Sequence, residues 1–370
     1  MAAMESSSSG FKASETTQWV SPIVGIILNC IEMYLVLFVT DKRMSAYKPI
    51  LIQTCLIDIF NCITTFVTRF QLDYKEGNFY IIIGRLSFSN PKWLIDTFAQ
   101  VWVFGLFYSV TTCPVQFVYR YIVLINNKPV SKVFYVGMML IAFLFALIYT
   151  ILNYCSFRFL QNIDGTEYIL LIKDPNYANG IPAFIVTDVG SALLKVHLAI
   201  GLVMVTVAYG IMLYTSGRMW HKLVGLRTQM SAHLFRMQRQ LNFTLLLNAT
   251  IPCLSCLIPV AVSFILTFTR SNISGVGQVL SMIIIIYPVA HPLAAICVIR
   301  HYRRTCLLAF RKLLNLKGSK TDILGSEANS AKKQSTLGSY IYRTPNTTRW
   351  KNTNYLKPFC INNQVKVTQK

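Results

Sequence analysis

Residues Thr112-Cys113-Pro114-Val115-Gln116-Phe117-Val118-Tyr119-Arg120-Tyr121-Ile122-Val123-Leu124 are an apolar run with one arginine set between two tyrosines. A charge at the centre of a bilayer costs at least about 3 kcal/mol, so this arginine needs either a partner or a place at the membrane surface. Helix geometry favours the surface. Asp96 and Arg120 are 24 residues apart, about 36 Å along a helix, whereas the hydrocarbon core is about 30 Å thick. A single helix from Trp93 to about Ile125 then has Asp96 at one interface and Arg120 at the other, facing the cytosol if the N-terminus is outside.

The rest of the chain agrees with a membrane reading. Of 370 residues, 54% are hydrophobic and only 13% charged, against about 25% charged in soluble domains. Seven apolar windows reach the roughly 20 residues that span a bilayer: 19–40, 49–70, 94–120, 133–155, 195–215, 241–268 and 277–299. The second and fifth each carry a polar residue, Asp58 and His197. The N-terminus lacks the basic stretch and short apolar core of a cleavable signal, so the first span is expected to direct insertion. With the N-terminus outside, the inner segments hold 26 of the 35 Lys and Arg residues, as the positive-inside rule requires. The formal charge of +21 is then topology plus attraction to anionic membrane lipids, not nucleic-acid binding.

The expected fold is an all-α membrane protein, a seven-transmembrane helix bundle with its N-terminus outside and its C-terminus cytoplasmic. Residues 1–18 form an extracellular tail, 19–300 the bundle, 301–317 an amphipathic juxtamembrane helix and 318–370 a disordered cytoplasmic tail. In the juxtamembrane segment Cys306, Phe310, Leu313 and Leu314 recur at helical spacing, with Arg303, Arg304, Arg311 and Lys312 on another face, the pattern of a helix lying on an inner leaflet. Cys306 there is a palmitoylation candidate. Loops are expected at 71–93 and 156–194 on the outer side. Pro114, Pro252, Pro259, Pro288 and Pro292 fall inside spans, where they serve either as static bends or as hinges for the inner halves of the helices.

Ten cysteines are present, eight of them in or at the ends of spans, which is not a disulfide framework. Cys253 and Cys256 form a C-x-x-C inside an apolar helix with no further ligands nearby, and we read them as packing rather than a metal or redox site. No zinc-protease, Walker A or nucleophile-elbow motif occurs, so no enzyme, metal or cofactor is expected. The ionisable residues inside spans are few: Glu32, Asp58, Asp96, His197 and His291. A coupled carrier usually needs a chain of such groups, and the inverted hydropathy repeat common in transporters is missing. A ligand-gated channel subunit of the insect odorant-receptor kind would have its N-terminus inside, against the charge count. These two remain the alternatives to a receptor.

The segment PVQFVYRYIVL at 114–124 resembles the end of the third span in nematode serpentine chemoreceptors of the Str superfamily. The first two spans, with Asn29, Tyr47 and Asp58, are similar to that family's, as are Gln240-Leu241 and Ile251-Pro252 in the sixth span and HPLAAICVIRHYRR at the end of the seventh. Class delta (Srd) is the nearest subfamily by YKPILIQTCLIDIF. The Asp-Arg-Tyr, Cys-Trp-x-Pro and Asn-Pro-x-x-Tyr motifs of rhodopsin-like receptors are replaced by Tyr119-Arg120-Tyr121, IPCLSC and YPVAHP. The resemblance implies a chemosensory receptor in the plasma membrane, in sensory-neuron cilia, that binds a small-molecule ligand in its outer half and engages a heterotrimeric G protein inside. Its oligomeric state is left open.

Candidate residues follow. Asp96, Gln100, Phe104 and Tyr108 recur every four residues and share a helix face that could line the ligand pocket. A carboxylate near a helix N-terminus is also favoured by the helix dipole alone, so Asp96 has a purely structural reading as well. Asp58 is the candidate interior polar switch, bridged by water or an ion to Asn29 or His291, and His291 has the plain reading of a packed, hydrogen-bonded histidine as well. Arg120 and Tyr121, with Arg236 and Arg239 at the base of the sixth helix and Arg300 at the base of the seventh, would face the G protein, although ordinary positive-inside charge also accounts for Arg236 and Arg300.

Overall fold

In the computed structural model residues 2–40, 48–87, 90–126, 130–158, 182–225, 232–269 and 275–313 are described. Seven long helices run in order: α1 (Ala2–Tyr34, extended by a π-helical stretch Leu35–Val39), α2 (Lys48–Thr68), α3 (Lys92–Asn126), α4 (Lys132–Arg158), α5 (Ala192–Gly225), α6 (Ala232–Thr269) and α7 (Val276–Val298). A shorter helix, α8 (Arg300–Leu313), follows. Among the described residues three strands interrupt the series: β1 (Phe70–Lys75), β2 (Asn78–Ser87) and β3 (Pro182–Asp188). The chain divides into two units, Met1–Ala309 and Phe310–Lys370; the architecture below belongs to the first, and of the second only the last residues of α8 are described. The expected tail 318–370 lies outside the described residues.

Among the described residues six helices, α1 to α5 and α7, contain stretches long and apolar enough to cross a membrane. In α6, several of whose side chains lie outside the described set, the apolar stretch is Leu254–Thr269. The surfaces of these helices are those lipid demands. Lipid solvates aliphatic side chains as well as a protein core does, so small and polar residues collect between helices. On α4, Val136, Leu140, Leu144, Ile148 and Ile151 are exposed, while Ala142, Ala146, Tyr149 and Asn153 are buried; both sets recur at helical spacing. The helices close a ring, α1 against α2 and α7, α2 against α3, α3 against α4 and α5, and α5 against α6 against α7. Helix α3 also touches α6, which makes it the central element. The first helix begins at Ala2, well before the span expected from residue 19.

The expectation of an all-helical protein with plain loops needs correction. Between α2 and α3, where a loop at 71–93 was expected, the chain forms the β1–β2 hairpin, and β3 joins it from the long connection before α5 to give an antiparallel sheet in the order β1-β2-β3. Helix α2 stops because Arg69 takes a left-handed conformation (φ 47°), the conformation that commonly ends a helix. The hairpin turns at Glu76-Gly77, both with positive φ (45° and 80°), inside the Lys75–Asn78 pair. That is the backbone of a type I′ turn, whose twist matches paired strands.

The sheet closes one end of the bundle. Phe70, Leu72 and Tyr74 alternate along β1, face Phe79, Ile81 and Ile83 of β2, and join one continuous core with α3, α5 and α7. Phe70 stacks on Trp102 of α3, ring centroids 3.6 Å apart. The Leu72 amide donates to Ser281 Oγ on α7 (2.7 Å), and that hydroxyl donates to the Gly277 carbonyl (2.8 Å). A Cβ on Gly277 would lie 2.3 Å from the Leu72 carbonyl oxygen, so only glycine lets β1 lie this close across α7. At the other end Leu35, Val36, Leu51, Ile299 and Tyr302 form a second core around the start of α8. There the Tyr302 and Thr40 hydroxyls lie 2.6 Å apart, and burial pushes the Tyr302 phenol up to about 12, so it serves as a neutral hydrogen-bond partner.

Gly277→Val is expected to lift β1 off α7 and cost about 1–3 kcal/mol, the usual penalty of overpacking, seen as a lower thermal midpoint of the detergent-solubilised protein and lower surface expression. Gly210→Ala, which points a methyl into open space, is the control and is expected to leave both unchanged or slightly raised.

Candidate functional site

Helix α7 carries Pro288 and Pro292. A proline has no N–H, so Pro292 deprives the Pro288 carbonyl, four residues back, of its helical donor. In lipid that carbonyl must find another. Asn29 of α1, fully buried, supplies it: Nδ2 donates to the Pro288 oxygen at 2.9 Å and to the Gly25 oxygen of its own helix at 2.8 Å. Two turns earlier on α1, Ser21 Oγ donates to the Ile285 oxygen at 3.1 Å. Gly25 also lets α1 close on α2, since a Cβ there would lie 2.5 Å from Cys62 Sγ.

One turn past Pro288, His291 Nδ1 lies 2.7 Å from Asp58 Oδ2 on α2. Both residues are buried, Asp58 at 1% and His291 at 3% exposure. Glu32, one turn past Asn29, is buried at 1% and hydrogen-bonds Cys55, which sits one turn before Asp58. The pairs Asn29/Glu32 and Cys55/Asp58 thus bring two helix faces together against the proline-bearing stretch of α7. The sequence reading named Asn29, Asp58 and His291 as one interior site, and the structure brings all three to the α1–α2–α7 junction. It missed Glu32 and Cys55 as members, although their spacing of three from Asn29 and Asp58 was the available signal.

A second buried group lies on the sheet side of the bundle. His197, one turn into α5, is 3% exposed, and neither ring nitrogen has a hydrogen-bond partner among the described residues. Its ring lies 4.6 Å from Tyr149 of α4, which stacks on Phe107 of α3 at 3.6 Å. Among the described residues no three His, Cys, Asp or Glu side chains are placed to hold a metal ion.

The family described as serpentine type 7TM GPCR chemoreceptor Str matches residues 14–307. The chain belongs to it. No curated protein matches the chain. Among solved structures the crystal structure of squid rhodopsin is similar, with a TM-score of 0.51 over 86% of this chain and 90% of that one. At 12% identity this likeness shows the fold alone: the Str-family chain is a multi-pass membrane protein with a rhodopsin-like helical bundle.

The other candidate residues scatter. Helix α3 begins at Lys92, so Asp96 lies just past its first turn. Gln100 accepts a hydrogen bond from Asn153 of α4 (3.0 Å). Phe104 and Tyr108 stack on each other at 5.5 Å and meet Phe143 of α4 edge-on. The shared face therefore turns toward α4 rather than into the centre of the ring. Arg120 was expected at the cytosolic surface and instead is 2% exposed, within α3, which continues to Asn126. The helix has the expected length, so the difference is one of packing: Arg120 turns into the bundle rather than to its surface. Tyr121 is half-buried against the main core. Arg239 is exposed, its guanidinium 5.9 Å from the Trp220 ring centroid. The side chains of Arg236, Arg300 and Pro252 lie outside the described residues. Pro114 in α3 is half-buried and Pro259 in α6 buried. Cys306 is a half-buried free thiol, and burial raises its pKa, which leaves less of the nucleophilic thiolate.

Breaking the Asp58–His291 contact is expected to be costly, because it strands a polar group in a dry interior. His291→Leu or Asp58→Leu alone should each lower stability by about 3–5 kcal/mol, and the double variant by much less than the sum. Thermal midpoints of the four solubilised proteins check this; additive losses would mean that the pair is not coupled.

Proposed function

We propose that this Str-family protein is a chemosensory receptor, of the class delta branch, that binds a small-molecule cue near its sheet end and couples to a heterotrimeric G protein at the α8 end. The observation that carries the reading is the polar junction at α7. A two-state receptor needs an element with two arrangements that both ends can bias. A helix that carries Pro288 and Pro292, and is held by Asn29 and Asp58 from two neighbours, suits that task. Ligand shifts such an equilibrium only by its differential affinity for the two states.

Several features support the assignment of ends. Lys48, Lys132, Arg218, Lys222, Arg239, Arg303 and Arg304 all belong to helix ends on the α8 side, the side the positive-inside rule makes cytoplasmic. The N-terminus and the sheet would then be outside, at the plasma membrane. Helix α8 combines these arginines with exposed Leu307 and Leu308, as an amphipathic helix resting on anionic lipid would, with Cys306 as its acylation site. Arg120, Tyr121, Arg236, Arg239 and Arg300 are the residues nearest the G protein on this reading, with Arg120 acting from inside as a lock. Asp96 and Gln100 lie in the half that would receive the cue, and His197, an imidazole with open hydrogen-bonding groups in an aromatic setting, joins them as anchor. An unpaired buried polar group costs about 1–3 kcal/mol, which a ligand's hydrogen bond would offset.

Cells expressing the chain with an epitope at each end test the proposal. Labelling without permeabilisation should reach the N-terminal tag alone. A second-messenger assay against volatile and water-soluble cues should give a response that His197→Ala weakens at least tenfold and Arg120→Ala abolishes, both variants reaching the surface normally. An N-terminal tag that labels only after permeabilisation would sink the assigned orientation and with it the G-protein face.

A further inference from the structure

Two arginines from different parts of the chain meet on one ring, that of Trp19 in α1. The Arg69 guanidinium lies 4.5 Å from the ring centroid and that of Arg85 lies 5.5 Å from it. Arg85 also lies 5.8 Å from the ring of Phe66 on α2, which meets Trp19 edge-on at 5.6 Å. Two guanidiniums on one ring are at most about 10 Å apart, within a Debye length at 0.1 M salt, so they repel each other. The fold nevertheless aims both at this point. Arg69 holds a left-handed backbone (φ 47°), at a place where glycine or asparagine is usual. Strand β2 is irregular between Ile83 and Ser87, the stretch that contains Arg85, and such irregularities re-aim side chains. Between the two arginines the Gly84 amide donates to the Arg69 carbonyl at 3.2 Å, and a Cβ on Gly84 would lie 3.1 Å from that oxygen.

The charges of this cluster do not balance. Arg69 Nη2 donates to Glu15 Oε1 at 3.1 Å. Arg85 is exposed and, among the described residues, has no carboxylate partner. Aromatic rings hold a guanidinium by its charge and leave its N–H fork open to a carboxylate. One more carboxylate would bring the cluster to neutrality. The depth is that of a membrane interface, where aromatic rings and cations collect: Arg69 follows the apolar stretch Lys48–Thr68, and Trp19 lies near the start of Ala13–Val39. Deeper along the same two helices Val20, Ile23 and Ile27 on α1 and Ile63 and Val67 on α2 are exposed, an apolar surface beside the charged cluster.

We infer that Arg85, with Arg69 beside it, binds the carboxylate of an amphiphile whose chain lies along α1 and α2. The carboxylate matches the guanidinium fork in shape and charge, and the chain covers the exposed aliphatic surface below it. An alcohol of the same length would leave the extra positive charge in place. A zwitterionic phospholipid would bring a cation of its own to a cluster that already carries one too many. Both arginines are within reach of such a molecule, Arg85 being exposed and the Arg69 side chain 17% exposed. The site is separate from His197, which sits on α5 among α3, α4 and α6.

The test uses the purified full-length protein in a neutral detergent and tritiated decanoate, with unlabelled decanoate, decanol, acetate and dioleoylphosphatidylglycerol as competitors. Saturable binding is expected, displaced best by decanoate. Arg85→Gln should weaken it about tenfold or more, the worth of a hydrogen bond to a charged group, and Arg85→Lys should weaken it less. Glu15→Gln, which removes the resident carboxylate from Arg69, should strengthen it. Lys195→Gln, which removes a cation held on the Phe268 ring of α6, should leave it unchanged. Thermal midpoints equal to the parent's identify folded variants. Binding that does not saturate, that survives Arg85→Gln, or that decanol or acetate displaces as well as decanoate does would overturn the assignment. Displacement by phosphatidylglycerol as good as that by decanoate would also overturn it, and would give the cluster to phospholipid headgroups instead.

Discussion

The hydrogen bond between Asp58 and His291, with the amide of Asn29 on the Pro288 carbonyl, holds α7 to α1 and α2, and much of the bundle depends on it. A dry interior tolerates a polar group only when it is paired. Two prolines on one membrane helix leave carbonyls that must be answered from outside the helix, and a buried carboxylate needs a donor. The fold answers both needs with the same neighbours. This is why α1, the first element in the chain, packs against α7, the last long one, and why the ring of helices closes.

A second constraint acts at the sheet end. The β1–β2 hairpin is not laid over the bundle but enters its core, through Phe70 on Trp102 and through the close passage of β1 over Gly277. In a bundle whose helices are separated by small residues, such an insert sets the spacing of α3, α5 and α7 at that end.

The likeness to squid rhodopsin at 12% identity shows how little of a helical bundle's architecture rests on particular motifs. The Str-family chain keeps the layout while Tyr119-Arg120-Tyr121 and the YPVAHP segment stand where rhodopsin-like signatures would be. Bilayer thickness, helix length and short connections restrict the arrangement strongly, so different interior chemistry can serve one fold. Here that chemistry is a carboxylate–histidine pair and a proline carbonyl capped by asparagine.

The membrane class, the number and order of the long helices, and the meeting of Asn29, Asp58 and His291 were legible in the chain itself. Each rests on local rules: about 20 apolar residues per span, and polar residues in such spans turning inward to find partners. The hairpin had a sequence signal too, Glu76-Gly77 between runs of β-forming residues, but in a chain of long apolar helices it reads as loop. Three features came only from tertiary structure. Glu32 joins the polar junction because α1 meets α2 across Gly25. The face of Phe104 and Tyr108 turns away from the centre because that side of α3 packs against Phe143 of α4. Arg120 is buried because it turns into the bundle, which helix length alone does not decide. Sequence periodicity states which residues share a face; which neighbour that face meets is decided by how all seven helices pack at once.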